Sequence, residues 1–264
     1  MRDCRAVAVG NVKVRENLWF LTLDLEGDFE VPQPGQFVQL RMGAGTDPLL
    51  RRPFSIASFS EGRESSLNIL YAPAGRWTRL LASSGEGFEM DVLGPLGKPF
   101  SPAEEDRSLL VAGGRGVAPL LYLSRRMADA GRRFISLVGA RTEDDVYWNE
   151  ELAGSGEVKF ATEDGSLGSK GMVTDLLEKE IAGVGGRSAV YACGPMGMLR
   201  AVSKICSRAG IECQVSVETV FACGFGVCRG CVVPSTIASS PNLMACSDGP
   251  VLNAKDIDWE RFSE

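Results

Sequence analysis

Four of the eight cysteines lie in a short segment near the carboxyl end of the 264-residue chain. Cys223, Cys228 and Cys231 are spaced as Cys-x4-Cys-x2-Cys, and Cys246 follows fifteen residues later. This is the plant-type spacing for a 2Fe–2S cluster that is held by four thiolates. We therefore expect these four cysteines to ligate an iron–sulfur cluster.

Small residues separate these cysteines: Ala222, Gly224, Gly226 and Gly230. A loop that wraps inorganic sulfide must approach it closely and often needs positive φ, which glycine adopts readily, and its N–H groups then point at the anionic cluster. A Cys4 zinc site is the alternative, although such sites usually pair two Cys-x2-Cys knuckles and this segment contains one. The scattered Cys4, Cys206 and Cys213 are predicted to be buried small hydrophobes.

The stretch "VAGGRGVAP" (111–119) places glycines between a strand-like and a helix-like run. Such a turn brings backbone N–H groups and a positive helix end up to a pyrophosphate, but a merely tight turn has the same pattern. A second strand ends in "YACGP" (191–195), and ligands bind at the carboxyl ends of parallel strands. Together the two stretches favour a nicotinamide nucleotide.

The stretch "RRPFSIAS" (51–58) combines a guanidinium, a proline-stiffened strand and a hydroxyl, which suit a phosphate and a flat ring system. Solvated arginines are an equally simple interpretation. The stretch "GRWTRLL" (75–81) adds a helix start that suits an anion.

The net charge of −6 argues against nucleic acid or an anionic membrane as the main partner. The sequence has no apolar run that could span a bilayer, and its first residues lack the pattern of a signal peptide. We therefore expect a cytoplasmic protein, in which clustered cysteines stay reduced and favour metal ligation. The chain has no histidine, which excludes histidine bases and mixed His/Cys metal sites.

Three segments are expected to position these residues. Residues 1–100 have short β-rich runs between Pro- and Gly-rich turns, which predicts an antiparallel β-barrel or sandwich. Residues 101–217 alternate apolar β runs with helices that end at glycine, which predicts a doubly wound parallel α/β sheet. An acidic stretch at 143–152 is predicted to be one of these helices. Residues 218–264 form a small cysteine-bearing subdomain.

In this order the pieces resemble the ferredoxin–NADP reductase superfamily, in which a flavin-binding barrel precedes a nucleotide-binding α/β domain. The terminal "ACGFGVCRGCVV…CSDGPV" narrows the resemblance to the family of dihydroorotate dehydrogenase B electron-transfer subunits, over essentially the whole chain. Arg-Pro-x-Ser, Gly-Pro-Leu-Gly, Gly-Gly-x-Gly-x-Ala-Pro, Cys-Gly-Pro and the cysteine run occur in the order that the resemblance requires.

The resemblance implies roles for particular residues. It assigns the isoalloxazine and ribityl–phosphate arm of FAD to Arg52, Pro53, Phe54 and Ser55, with Ile69, Leu70 and Tyr71 lining the flavin. It assigns the FAD pyrophosphate to Gly75, Trp77 and Thr78, and the barrel side of the site to Gly94, Pro95, Leu96 and Gly97. It assigns NAD to Gly113, Gly114, Gly116, Ala118 and Pro119, and the nicotinamide to Cys193, Gly194 and Pro195. The cluster ligands are Cys223, Cys228, Cys231 and Cys246.

Three residues depart from the family pattern. Arg115 replaces a small apolar residue in the glycine turn, Ala72 replaces a basic residue, and Trp77 replaces a glycine beside Thr78. These departures bear on the fit of the pyridine nucleotide, on one phosphate contact and on the shape of the flavin loop.

The resemblance implies an oxidoreductase subunit with no acid–base catalytic residue of its own. A partner FMN-containing catalytic subunit would oxidise dihydroorotate in pyrimidine biosynthesis, and electrons would pass through the 2Fe–2S cluster and FAD to NAD+, in a heterotetramer. The alternatives with the same cofactors are the small subunit of a sulfide dehydrogenase, of an NADH-dependent ferredoxin:NADP oxidoreductase or of a hydrogenase. Full cysteine ligation favours the first interpretation, since an aspartate replaces one ligand in some of those relatives. A non-enzymatic, zinc-stabilised binding module is the alternative from a different class.

Overall fold

The amino-terminal half of the molecule is built on a closed antiparallel barrel. The structure, a computed structural model, describes residues 2–43, 47–62, 65–102, 107–148, 150–154, 156–183 and 187–262. The barrel strands are β1 (Arg2–Arg15), β2 (Leu18–Leu25), β3 (Phe37–Met42), β4 (Arg52–Ser60), β5 (Ser65–Tyr71) and β6 (Glu89–Leu96). They close in the order β1-β2-β5-β4-β3-β6, with the short helix α1 (Arg76–Ala82) between β5 and β6.

Alternation along the strands fills the barrel. Leu21 and Leu23 on β2 and Leu67 and Ile69 on β5 have no exposed surface, because every second side chain points inward. The same alternation turns Leu70 away from this core and towards the rest of the molecule, where it packs in a different apolar cluster.

The second half is a seven-stranded sheet in the order β10-β9-β8-β7-β11-β12-β15. Its strands are β7 (Arg107–Gly113), β8 (Phe134–Ala140), β9 (Glu157–Thr162), β10 (Ser169–Lys170), β11 (Ser188–Cys193), β12 (Glu212–Ser216) and β15 (Val251–Asn253). The ladders are parallel except for the pair of β12 with β15. The predicted parallel sheet is confirmed, with one antiparallel edge strand added by the carboxyl-terminal segment.

Helices cover both faces of this sheet, as the prediction of a doubly wound fold requires. One face packs against α4 (Val173–Ala182) and α5 (Met196–Ala209), and the other against α2 (Val117–Asp129) and α3 (Glu150–Ala153). Helix α2 also contacts β4 of the barrel, and the Tyr122 hydroxyl donates to the Pro32 carbonyl over 2.7 Å. Helix α2 therefore joins the sheet to the barrel. None of the helices in the described ranges is long and apolar enough to cross a membrane.

The prediction of a helix through the acidic stretch 143–152 was wrong. The chain there makes a single 3-10 turn at Glu143–Asp145 and then extends at Val146 before the short α3. The Val146 carbonyl accepts a hydrogen bond of 2.8 Å from the Arg15 side chain, and its own side chain is buried. A tertiary contact with the barrel replaces the helical hydrogen bond at this point.

The carboxyl-terminal segment contains a small hairpin, β13 (Val232–Pro234) with β14 (Asn242–Met244), before it reaches β15. Cys231 and Cys246 flank this hairpin, and Ala245 N–H donates to the Cys231 carbonyl over 2.8 Å. The hairpin thus brings two cysteines together that are distant in the sequence.

Candidate functional site

A cleft of about 240 Å³ lies where the barrel, helix α2 and the end of β12 meet. Residues of all three parts of the chain line it: Phe37, Pro53, Phe54, Ser55, Leu70, Tyr71, Ala72, Ala74, Arg115, Ala118, Ser216, Val217, Glu218, Thr219, Phe221 and Pro250. The wall is mainly apolar and aromatic with a few polar groups, which is typical of a cofactor site.

The barrel wall of the cleft contains several residues that the sequence assigned to FAD. Pro53, Phe54 and Ser55 on β4 and Leu70 and Tyr71 on β5 lie side by side in it. The Phe54 ring packs edge-on against Tyr71, with ring centroids 6.3 Å apart. Neighbouring strands therefore supply aromatic rings beside the Ser55 hydroxyl, a combination that suits a flavin.

Other residues assigned to FAD do not line the cleft. Ile69 is fully buried in the barrel, and the Trp77 ring is 3% exposed and packs on Phe54 with ring centroids 5.4 Å apart. Thr78 caps its own helix, because its hydroxyl accepts from the Gly75 N–H over 3.0 Å. Their assignment to the cofactor stays a prediction.

Arg52 and the turn at Gly94–Gly97 also lie outside the cleft lining. The Arg52 guanidinium donates to the Leu50 and Arg51 carbonyls over 2.9 and 3.1 Å, so it is held locally. At Gly97, φ is +76° and a Cβ atom would lie 2.5 Å from the Pro250 ring. Gly97 is therefore required for the close packing of the barrel against the carboxyl-terminal segment, whatever it does for a cofactor.

The two segments assigned to the pyridine nucleotide are in direct contact. A Cβ atom on Gly116 would lie 2.2 Å from the Cys193 carbonyl oxygen, and one on Gly194 would lie 3.0 Å from the Gly113 backbone nitrogen. The sheet places the ends of β7 and β11 side by side, which brings both segments to one edge. From this turn, Ala118 and Arg115 line the cleft, whereas Gly113, Gly114, Gly116, Pro119, Cys193, Gly194 and Pro195 do not.

Arg115 and Ala72, two of the departures from the family pattern, are part of the cleft lining. The Arg115 guanidinium is exposed and makes no hydrogen bond or ion pair with any residue that the structure describes. It therefore supplies a free positive charge at the wall between the glycine turn and the flavin side of the cleft.

The sequence analysis missed the residues between β12 and the first cluster cysteine. Glu218, Thr219 and Phe221 line the cleft, and the Phe221 ring packs edge-on against Phe37 on β3 with centroids 5.1 Å apart. The signal that could have found them is their position after a buried β run, since ligands bind at the carboxyl ends of parallel strands. Ser216, Val217, Ala74 and Pro250 were missed as well.

The Cys193 thiol is kept neutral by its surroundings. Burial raises its pKa well above the ordinary value, and the nearby Glu218 carboxylate raises it further, against a smaller opposing effect of the Ser216 hydroxyl. A neutral, buried thiol does not act as a nucleophile.

The four cysteines of the terminal segment form two pairs of free thiols. The Cys231 and Cys246 sulfurs lie 3.1 Å apart, and the Cys228 N–H donates to the Cys223 sulfur over 3.4 Å. Additional N–H groups of the loop point at these sulfurs, from Gly226 to Cys246 over 3.1 Å and from Gly230 to Cys228 over 3.5 Å. Such N–H groups stabilise thiolate ligands.

The pKa values of these thiols diverge. Burial raises the pKa of Cys223, but N–H groups of Cys228, Phe225 and Val227 and the Cys228 side chain outweigh it and lower that pKa to about 6. Burial, followed by the contact with Cys231, raises the pKa of Cys246 to about 12, against the opposing Gly226 N–H. Metal binding must therefore displace at least one proton.

The backbone of the segment has the shape that a cluster loop needs. Gly224 and Gly226 have φ of +83° and +85°, as expected, whereas beside Gly230 it is Arg229 that takes a positive φ of 55°. Within the described residues no three Cys, Asp or Glu side chains converge on one point as the ligands of a single ion would. Two pairs of thiols match the two thiolates that each iron of a 2Fe–2S cluster needs.

Comparison with known proteins agrees with this site. The family model for the iron–sulfur cluster binding domain of dihydroorotate dehydrogenase B matches residues 218–258. The family model for the oxidoreductase NAD-binding domain matches residues 110–204.

Relatives match over nearly the whole chain. A dihydroorotate dehydrogenase B (NAD(+)) electron transfer subunit from Geobacillus kaustophilus (strain HTA426) is 38% identical over 248 residues, which cover 92% of this chain and 94% of the relative. Its counterpart from Fusobacterium nucleatum subsp. nucleatum is 36% identical over 259 residues, which cover 95% and 96%. Among solved structures, the NADH-dependent reduced ferredoxin–NADP oxidoreductase of flavin-based electron bifurcation matches with a TM-score of 0.85 at 28% identity, over 97% of this chain and 90% of that one.

Proposed function

The chain belongs to the family of dihydroorotate dehydrogenase B electron transfer subunits, and from this premise we propose that it connects a dihydroorotate-oxidising subunit to NAD+ in pyrimidine biosynthesis. One observation carries the proposal: the cysteine segment is packed directly against the wall of the cleft. Phe221 lines the cleft two residues before Cys223, so one continuous stretch of chain serves both places.

Different residues would hold FAD, the iron–sulfur cluster and the nicotinamide nucleotide. FAD exchanges a hydride with nicotinamide and single electrons with an iron–sulfur cluster, and this is the chemistry that the bound cofactors supply. Pro53, Phe54 and Ser55 support the flavin, and Phe37 and Phe221 exclude water on the side of the cysteines. Cys223, Cys228, Cys231 and Cys246 hold the cluster. The joined ends of β7 and β11 would hold the nicotinamide, and Gly116 allows the backbone of the two segments to pack closely there.

The partner is an FMN-containing catalytic subunit that docks over the cysteine segment in a heterotetramer. Four apolar side chains around the cysteines are exposed, and we call them the apolar collar: Val220, Phe225, Val227 and Val232, with exposures of 82, 43, 74 and 41%. Exposed apolar groups gathered around a redox centre mark an interaction surface rather than a solvated one. A partner that docked on this collar would lie next to the cysteines that would hold the cluster.

The test uses this chain produced anaerobically with and without a dihydroorotate dehydrogenase catalytic subunit. We expect flavin absorption bands, iron with acid-labile sulfide, a reduced-state electron paramagnetic resonance signal, and dihydroorotate-dependent NAD+ reduction only when both subunits are present. A colourless protein with one zinc ion would reject the proposal.

The alternative relatives predict a different outcome. Reduction of ferredoxin or NADP+ without dihydroorotate, by a chain that retains its flavin and iron, would favour a relationship with the NADH-dependent ferredoxin–NADP enzyme. A cytoplasmic location remains part of the proposal, supported by four free thiols that need a reducing compartment. The division into residues 1–100, 101–217 and 218–264 also remains a prediction, although β15 joins the last part to the second sheet.

A further inference from the structure

The cysteine segment rests on one strand of the barrel. Phe37 and Gln39, which are two residues apart on β3 and point to the same side, contact Phe221 and Ala222 respectively. The Gln39 side chain donates from Nε2 to the Ala222 carbonyl over 3.2 Å. Ala222 immediately precedes Cys223, so this hydrogen bond ends one residue from a cluster ligand.

Burial of Gln39 lowers the stability of the folded protein. Its side chain is completely buried, and its amide oxygen has no hydrogen-bond partner within the described residues. A buried polar atom without a partner costs about 1–3 kcal/mol, which leucine or methionine would avoid. Within the described residues, the side chain makes one polar contact, the hydrogen bond to Ala222. We take this hydrogen bond as the reason why a polar side chain occupies the position.

The cysteine segment has a complementary shape on its side of the contact. Gly224 lies against the Gln39 amide, and a Cβ atom there would come within 2.6 Å of Gln39 Nε2. The residues on either side of Cys223 are therefore both in contact with Gln39: Ala222 by a hydrogen bond and Gly224 by close packing.

The backbone of β3 at Gln39 is held by the Arg51 side chain. The Arg51 guanidinium donates to the backbone carbonyls of Gln39 and Asp91 over 3.4 and 3.2 Å, and it is paired with the Asp3 carboxylate at 2.8 Å. Arg51 thus links the backbone of β3 at Gln39 to that of β6 at Asp91.

We propose that Gln39 is a positioning residue that fixes the Cys223 arm of the cluster to the flavin barrel. The proposal rests on the proposed function, because it assumes that Cys223 is a ligand. Gln39 is not part of the cleft lining. It sets where the cluster lies relative to the cleft by holding both neighbours of one ligand.

The experiment compares holoprotein carrying Gln39→Met with wild type in the complex with the catalytic subunit. Methionine keeps the length of the side chain and removes the donor. We expect loss of the cluster to an iron chelator to become about three to ten times faster, with a broadened electron paramagnetic resonance signal and unchanged FAD content. A wild-type chelation rate together with a wild-type signal would overturn the proposal.

Gln214→Met is the matched control. Gln214 on β12 also uses its amide on backbone, donating to and accepting from Ser101 over 2.8 and 2.9 Å, but this contact is exposed. It should leave both cluster measurements unchanged, and if it altered them equally, the effect would be general loosening and the proposal would fail. Should Gln39→Met not fold, Gln39→Asn keeps the amide but shortens its reach, and the same outcomes apply. Absence of iron from the wild type would instead reject the proposed function.

Discussion

At the scale of single residues, the four cysteines are not equivalent. Cys228 is exposed, whereas Cys231 and Cys246 are buried. The β13–β14 hairpin separates Cys246 from the other three cysteines along the chain. The spacing of the first three cysteines is local, so their proximity is set by one loop. The position of the Cys246 sulfur depends on the hairpin and on the Gly226 N–H, which donates to it.

Replacing Cys246 with serine should remove most of the iron and acid-labile sulfide while FAD stays bound, because the cluster loses one of four thiolates and the cleft does not contain Cys246. Iron, sulfide and FAD determinations on the anaerobically purified variant check this. Cys4→Ser, at a half-buried cysteine in β1, is the control and should keep all three at wild-type levels. Full iron in Cys246→Ser would mean that the fourth ligand lies elsewhere.

At the scale of secondary-structure elements, an ion-pair network ties α4 to the sheet at the start of β7, the end away from the nucleotide turn. The Glu180 carboxylate on α4 is paired with Arg107 on β7 and with Lys159 on β9, the latter at 2.7 Å. Burial raises the pKa of Glu180, but hydrogen bonds from Lys159 and then Arg107 outweigh it and hold that pKa below its usual value. The Glu180 side chain is 13% exposed, whereas those of Lys159 and Arg107 are 37% and 25% exposed, so solvent screens the two pairs in part.

Glu180→Gln should lower the free energy of unfolding by about 1–3 kcal/mol at pH 7, because hydrogen bonds between charged groups are lost. A carboxylate whose pKa is depressed by folding stabilises the protein fully above its unfolded pKa, and this contribution is lost as pH falls through the folded pKa. The difference between wild type and variant should therefore be present at neutral pH and shrink below about pH 4. Urea unfolding at pH 7 and at acidic pH measures it.

Glu178→Gln on the same helix is the control, since its pair with Arg208 is more than half exposed on both side chains. It should change stability by less than about 1 kcal/mol. Equal effects of the two substitutions, or a Glu180→Gln effect that grows in acid, would contradict the assigned role of this network.

At the scale of the whole molecule, the cysteine segment lies between the barrel and open surface. Its inner side packs on Phe37 and Gln39, and its outer side carries the apolar collar. This arrangement places the cysteines between an internal cleft and a surface that another protein can cover.

Val227→Lys should weaken binding of the catalytic subunit about tenfold or more, because a charge replaces an apolar contact of the collar. Val227 is 74% exposed, so the isolated subunit should fold and keep its FAD and iron. Titration of the complex measures the affinity. Val12→Lys, at an exposed valine of β1 outside the collar, should leave binding unchanged. Unchanged affinity of the Val227 variant would place the interface elsewhere.

The comparison of sequence and structure separates local from long-range features. The strand at 18–25 and the helix that ends before Gly210 could be predicted, because alternation and a left-handed glycine at the helix end are properties of short stretches. The acidic stretch at 143–152 could not, since Val146 is extended by a contact with Arg15, which lies 131 residues away. Ile69 and Trp77 could not be separated from Leu70, because the side of a strand or helix that faces a cleft depends on what packs there.

The sequence by itself determined the cysteine spacing, the order of barrel and α/β sheet, and the family to which they belong. The tertiary structure alone decided that Phe37 meets Phe221, that Gln39 supports Ala222 and that Gly116 meets Cys193. The physical reason is distance along the chain. Hydrogen-bonding patterns and φ preferences act over a few residues. Gln39 and Ala222 are 183 residues apart, and they meet only when the carboxyl-terminal segment packs on the barrel.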